Sequence, residues 1–230
     1  MAQDLAVVVG ASGGIGSELH RALSRSGGFH EVIGLGRASD PPLDLLDEGS
    51  VEACAAWLKA RGGAIRTILD ATGALCVEGT RPEKSLRELD PAAMARSFAI
   101  NTIGPAMLMK HFLPLLPRTD RSVFATLSAR VGSIGDNRLG GWYAYRSSKA
   151  ALNQLVHTAS IELARRNPDA ICVALHPGTV RTDLSEGFVK SGLEVQPPEL
   201  AARRLVAVVD MLTPEQSGGF YDHLGKSIPW

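Results

Sequence analysis

Apolar and polar positions fall in alternating blocks along the chain. Six short runs are apolar at most positions: "LAVVVG" at 5–10, "EVIGLG" at 31–36, "IRTILDATG" at 65–73, "SVFATLS" at 122–128, "AICVALH" at 170–176 and "GGFYD" at 218–222. Amphipathic stretches of helical length lie between them. A strand that is apolar on successive residues must be covered on both faces, and parallel strands joined by crossover helices meet that requirement. The pattern predicts an α/β fold, a doubly wound parallel sheet in a three-layer sandwich, as one domain over residues 1–230. Asp90 before Pro91 reads as a helix cap with proline in the first turn, and Pro114 closes that helix about two dozen residues on. Another long helix is expected from about Tyr143 to Arg166. The Pro-rich pieces "DPPLDLLD" and "EVQPPEL" read as loops.

Composition narrows the partners. Twenty-four basic residues balance 24 acidic ones, so the basic excess typical of nucleic-acid or anionic-membrane binding is missing. No apolar run approaches the roughly 20 residues of a membrane span, and the start "MAQDLAVVVG" lacks the basic region and cleavage site of a signal peptide. A cytoplasmic protein acting on a small molecule, with neither nucleic acid nor membrane as partner, is expected. Cys54, Cys76 and Cys172 show no CxxC spacing and read as small buried hydrophobes. The six histidines include no HExxH pair, and no metal is predicted. His176, at the end of a strand-like run, reads as a hydrogen-bonded histidine near the core.

The stretch "LAVVVGASGGIGSEL" at 5–19 carries the first chemistry. A strand, a glycine turn and a helix N-terminus form an anion site, because unpaired backbone N–H groups and the positive end of the helix dipole converge there. Gly10 suits the tight turn out of the strand, Gly14 close approach of a diphosphate, and Gly16 packing of the helix on the sheet. A glycine loop alone is a weak signal. The apolar strand before it and the amphipathic helix and second strand after it supply the βαβ context of a Rossmann-type dinucleotide site.

The spacing is GxxxGxG, and it resembles the cofactor loop of the short-chain dehydrogenase/reductase family. "DATGA" at 70–74, Asn101 in "INTIGP", "YRSSK" from Tyr145 to Lys149, and "HPGTVRT" at 176–182 extend the resemblance over nearly the whole chain. Within the family, "LSARVGSIGDNRLGGWYAYRSSKAALN" and the ending "IPW" are most similar to the C-factor-like and sniffer-like carbonyl reductases.

On a helix, residues four apart share a face, so Tyr145 and Lys149 can present a phenol and an ammonium side by side. A nearby cation favours phenolate and is expected to bring the Tyr145 pKa down from about 10 toward working pH. The resemblance makes Tyr145 the proton donor and Lys149 the group that holds the ribose. Pro105 has no N–H, so the carbonyl of Asn101 loses its helical partner. In the resembled family that carbonyl holds a water linked to the lysine, and the resemblance favours this relay over a kink satisfied within the protein. Tyr143 lacks a lysine four residues on and reads as a pocket wall.

The family's active-site serine is the second of an "SS" pair, and here "LSAR" puts Ser128 first and Ala129 second. Ser128 is the preferred candidate and Ser133 its rival, with a buried or capping hydroxyl as the alternative for either. If neither reaches the site, Tyr145 can still protonate a carbonyl, with poorer positioning of the substrate.

The second strand ends at Gly36 without the acid that would grip a ribose 2′-hydroxyl, and Arg37 follows. That suits a 2′-phosphate, hence NADP(H) over NAD(H), with Ser12 adding a hydrogen bond. The resemblance assigns further cofactor contacts to Gly10, Gly14, Ile15 and Gly16, to Asp44 and Leu45 at the adenine, and to Ala71, Thr72 and Gly73 at the ribose. It also assigns Asn101, Tyr145 and Lys149, with Pro177, Gly178, Val180 and Thr182 at the nicotinamide. Residues 184–198 stand where the family carries a substrate lid, and Phe188, Val189 and Leu193 with Trp142 could form an apolar wall or pack in the core. Relatives associate through the helices carrying Asn101 and Lys149, which implies a homodimer or homotetramer. The expected activity is NADP(H)-dependent reduction of a ketone or aldehyde, or the reverse alcohol oxidation. A catalytically inactive member acting in signalling or interaction is the alternative.

Overall fold

The computed structural model describes residues 3–77, 79–182 and 195–230. Six parallel strands form the main sheet in the order β2-β1-β3-β4-β5-β8. They are β1 (Asp4–Val9), β2 (Glu31–Leu35), β3 (Ala64–Asp70), β4 (Ser122–Leu127), β5 (Ala170–His176) and β8 (Phe220–Asp222). A separate parallel pair joins β6 (Thr179–Val180) to β7 (Val195–Gln196).

Each strand divides its apolar side chains between two cores, as expected for a sheet covered on both faces. Val7, Val9, Phe124, Cys172 and Ala174 pack on one side against α2 (Glu48–Arg61), α4 (Gly104–Phe112) and α5 (Tyr143–Arg166). Ala6, Val8, Val123, Ile171 and Val173 pack on the other against α1 (Gly14–Ser26) and α6 (Pro198–Met211).

Winding reverses between β1 and β3, so the connections leaving their C-terminal ends run to opposite faces of the sheet and leave a crevice, the place where open α/β sheets bind ligands. The predicted helix cap is present: Asp90 accepts from the N–H of Ala93 at the start of α3 (Pro91–Phe98), with Pro91 in the first turn. Helical structure continues through a π-type turn at Ala99–Ile103 into α4 and closes in a 3-10 turn that includes Pro114. Pro105 lies just after the π-type turn, where its missing N–H breaks the ladder. The stretch "EVQPPEL" departs from the loop expectation, because Val195–Gln196 pairs as β7 and Pro198 opens α6. Proline suits a first helical turn, whose N–H groups have no partner in the helix.

Candidate active site

The glycine loop lies at the crevice. Gly10 has a φ of 79°, and a Cβ there would sit 3.2 Å from the main chain of Ala71 and the methyl of Thr72. A Cβ on Gly14 would meet the Thr182 methyl at 2.8 Å, and one on Gly16 would overlap the carbonyl of Gly10. α1 begins with neither a side-chain cap nor an acid in its first turn. Its N-terminal N–H groups therefore suit an anion, and the loop can approach a diphosphate by backbone alone. Ile15 does not line this cradle alone: it packs against the α1/α6 core.

At the end of β2, the Ser12 hydroxyl lies 3.7 Å from where a Gly36 Cβ would stand, and Arg37 is exposed beside it. Asp44 turns one carboxylate oxygen to the N–H of Leu46, at 3.0 Å. Leu45 rests against Gly104, which can carry no larger side chain without meeting it.

"DATG" leaves β3 and builds the floor. Asp70 is fully buried, accepting from the Thr72 N–H and hydroxyl and from the Thr126 hydroxyl. Burial raises its pKa, and these bonds together with the Lys149 cation pull it back. Ala71 N donates to the carbonyl of Val9, tying the floor to β1. Asn101 is also fully buried. Its side chain accepts from the Ala74 N–H at 2.9 Å and donates to the Ala74 carbonyl at 2.8 Å. A Cβ on Gly73 would lie 3.0 Å from that Asn101 oxygen and 3.1 Å from Lys149 Nζ. Thus Gly73, Asn101 and Lys149 meet at one point beside the crevice.

Tyr145 and Lys149 sit one turn apart near the start of α5, with Lys149 Nζ 6.0 Å from the Tyr145 ring centre. Burial decides their electrostatics. It pushes the Tyr145 phenol up to about 12 and drives Lys149 down to about 8, a fall that Asp70 resists. This corrects the expected acidification of Tyr145: desolvation outweighs the neighbouring ammonium. No side chain among the described residues hydrogen-bonds the Tyr145 hydroxyl. The ring of Trp142 meets that of Tyr145 edge-on at 6.4 Å.

Neither serine candidate hydrogen-bonds Tyr145 among the described residues. Ser128 donates to Asn153 Oδ1 at 2.7 Å, one turn beyond Lys149. Even-numbered positions of β4 face α5, which aims Ser128 there. Ser133 donates to the Pro229 carbonyl and accepts from the Asp136 N–H, so it fastens the C-terminal tail to the loop before α5.

Two further expectations need correction. Cys76 is exposed, unlike buried Cys54 and Cys172, because it lies in the irregular segment after β3. His176 ends β5 as expected, but its Nδ1 is buried with no hydrogen-bond partner among the described residues, and burial pushes its pKa down to about 4.

Pro177 accepts from the Gln196 side chain, Gly178 adopts a φ of 80°, and Val180 is buried in β6. With Thr182 against Gly14, this stretch closes one side of the cradle. Phe188, Val189 and Leu193, and most of the expected lid, lie outside the described residues.

Sequence reasoning missed two features. One is the buried Asp70 network, whose Thr126 partner comes from another strand. The other is Glu83, buried from a distant loop against the N-terminus of α5; no local motif marks either.

The family model for short chain dehydrogenase matches residues 36–191. The 1-hydroxy-2-glutathionyl-2-methyl-3-butene dehydrogenase of Rhodococcus sp. (strain AD45) is 32% identical over 234 residues, spanning 97% of this chain and 98% of that protein. C-signal of Myxococcus xanthus is 40% identical over 146 residues, 64% of this chain and 84% of its own length. Among solved structures, the NADPH-bound carbonyl reductase from chicken fatty liver matches with a TM-score of 0.82 at 25% identity over 100% of both chains. The carbonyl reductase Sniffer of D. melanogaster shares the fold, with a TM-score of 0.84 at 22% identity over 100% of both. Matched over more than half its length by the family model and over nearly all of it by a relative, the chain belongs to the short-chain dehydrogenase family.

Proposed function

We propose that this protein is an NADP(H)-dependent oxidoreductase that interconverts a ketone or aldehyde with its alcohol, with Tyr145 as general acid and base. The observation that carries the reading is the meeting of Lys149, Asn101 and Gly73 at the crevice, with Tyr145 one turn away on the same helix. A bound reduced pyridine nucleotide would supply hydride to the carbonyl carbon. Gly10, Gly14 and Gly16 would admit its diphosphate at the N-terminus of α1. Arg37 and Ser12 would take a 2′-phosphate. Tyr145 gives its proton to the substrate oxygen in reduction and accepts it back in oxidation. Lys149 supplies positive charge that favours phenolate, and Asn101 fixes the wall beside it through Ala74.

Two relatives support the reading: one is named a dehydrogenase of a 1-hydroxy compound, and a structural neighbour is an NADPH-bound carbonyl reductase. In this reading the protein acts in the cytoplasm on a small molecule. Self-association on the faces of α4 and α5 is consistent with exposed Ile161 on α5 and exposed Ile103 just before α4. Commitment of Ser128 to Asn153, with Ala129 beside it, favours a second reading: a weak or inactive member that uses bound nucleotide in signalling or interaction.

NADPH oxidation in the presence of mixed ketones and aldehydes separates the two. Turnover that falls by about a thousandfold or more in Tyr145→Phe, with NADPH still bound, supports the enzyme. Binding without turnover, indifferent to Tyr145→Phe, supports the second reading.

A further inference from the structure

The entry into α5 is unusual. Gly140, Gly141 and Trp142 have φ values of 62°, 67° and 54° in succession, a left-handed turn that ends on a bulky non-glycine residue. Such a conformation is strained for a residue with a side chain and persists only where surrounding contacts over-determine it. The contacts come from two directions. Arg146 donates from Nε to the Gly141 carbonyl at 2.9 Å and from its guanidinium to the Val131 carbonyl at 3.1 Å. Glu83 reaches in from the segment between β3 and α3: its carbonyl accepts the Trp142 N–H, and its carboxylate accepts the Ala144 N–H at 3.2 Å.

α5 has no side-chain cap of its own and no acid in its first turn. Glu83, 61 residues away in sequence, supplies both. A carboxylate at a helix N-terminus satisfies an orphan N–H and meets the positive end of the dipole. That offsets the cost of burying an acid that is only 6% exposed. The capped N–H belongs to the residue immediately before Tyr145. Glu83 and Tyr145 also line one small hollow together with Leu75, Val77 and Ser97.

We infer that Glu83 is a positioning residue for Tyr145: its carboxylate caps the first turn of the catalytic helix, and its carbonyl holds the left-handed turn that aims the phenol. The inference rests on the oxidoreductase reading above for its catalytic purpose, while the cap itself can be read without turnover.

The test compares Glu83→Ala with Glu83→Gln, which keeps an acceptor oxygen at the same place. Amide hydrogen exchange at Ala144, whose N–H donates to the carboxylate, should quicken in Glu83→Ala by about tenfold or more and remain near wild type in Glu83→Gln. In carbonyl reduction with NADPH, Glu83→Ala should lose about tenfold in kcat, keep its NADPH Kd within about twofold, and be rescued to within about threefold by Glu83→Gln. Unchanged exchange in Glu83→Ala would overturn the cap. Quickened exchange with unchanged kcat would overturn the positioning role, as would a kcat loss that Glu83→Gln does not rescue or that comes with an equal loss of NADPH affinity. A wild-type chain that turns over no carbonyl overturns the oxidoreductase reading and the catalytic purpose with it, and the exchange data alone then decide whether the cap exists.

Discussion

The ammonium of Lys149 donates to the carbonyl of Leu127, the last residue of β4, at 2.9 Å. This bond anchors the lysine between the sheet and α5, where burial holds its pKa at about 8 while Tyr145 stands at about 12. Of the two, Lys149 lies nearer to working pH. For carbonyl reduction, kcat/KM, which reports the free enzyme, should be level below pH 8 and fall as pH rises through about 8, when Lys149 loses its charge. A pH–rate profile checks this, and a limb found only near pH 10 or above would contradict the assignment.

Asn101 holds Ala74 by both main-chain groups. Asn101→Ala leaves the half-buried N–H and carbonyl of Ala74 without these partners and should destabilise the fold by about 1–2 kcal/mol. Urea unfolding measures the loss. A change below about 0.5 kcal/mol would show that other groups or water replace the amide.

Arg37 stands exposed at the end of β2, opposite Ser12. Arg37→Ala should weaken NADPH binding by about tenfold and leave NADH nearly unchanged, because only the former carries a 2′-phosphate. Fluorescence titration with both nucleotides tests it, and equal losses for the two would remove Arg37 from cofactor selection.

His176 should make the protein acid-sensitive. Its folded pKa is near 4, lowered first by burial and then by Arg130 and His223 against the opposing pull of Asp222. The unfolded value is about 6.5, so between pH 4 and 6.5 the unfolded chain binds more protons. Stability must therefore fall as pH drops through that window, by on the order of 2 kcal/mol once partial solvent access is allowed for. Denaturant melts of wild type and His176→Gln between pH 7 and 4 should diverge, and parallel curves would count against a neutral buried imidazole.

Much of this molecule is legible in one dimension. The strand runs, the Asp90 cap and the span of α5 follow from local periodicity and capping, whose determinants lie within a few residues of one another. The glycine loop is legible in part for the same reason, since its turn, its helix start and the approach of Gly16 to Gly10 are set by neighbours in sequence, whereas Ala71, Thr72 and Thr182 reach it from distant parts of the chain. The pairing of Tyr145 with Lys149 follows from helix geometry. What could not be read was the sign of the phenol's pKa shift. Spacing reveals the cation, but only packing reveals the desolvation that outweighs it.

The sequence by itself determined the strands and helices, the glycine turn that opens α1 and the placing of Tyr145 and Lys149 one turn apart on one helix, because each depends on short-range pattern. Only the tertiary structure decided where the hydroxyls of Ser128 and Ser133 go, what Asp70 is bound to, and that Glu83 holds the first turn of α5. Those outcomes depend on groups brought together from distant parts of the chain, and a buried polar atom takes whatever partner the packing offers.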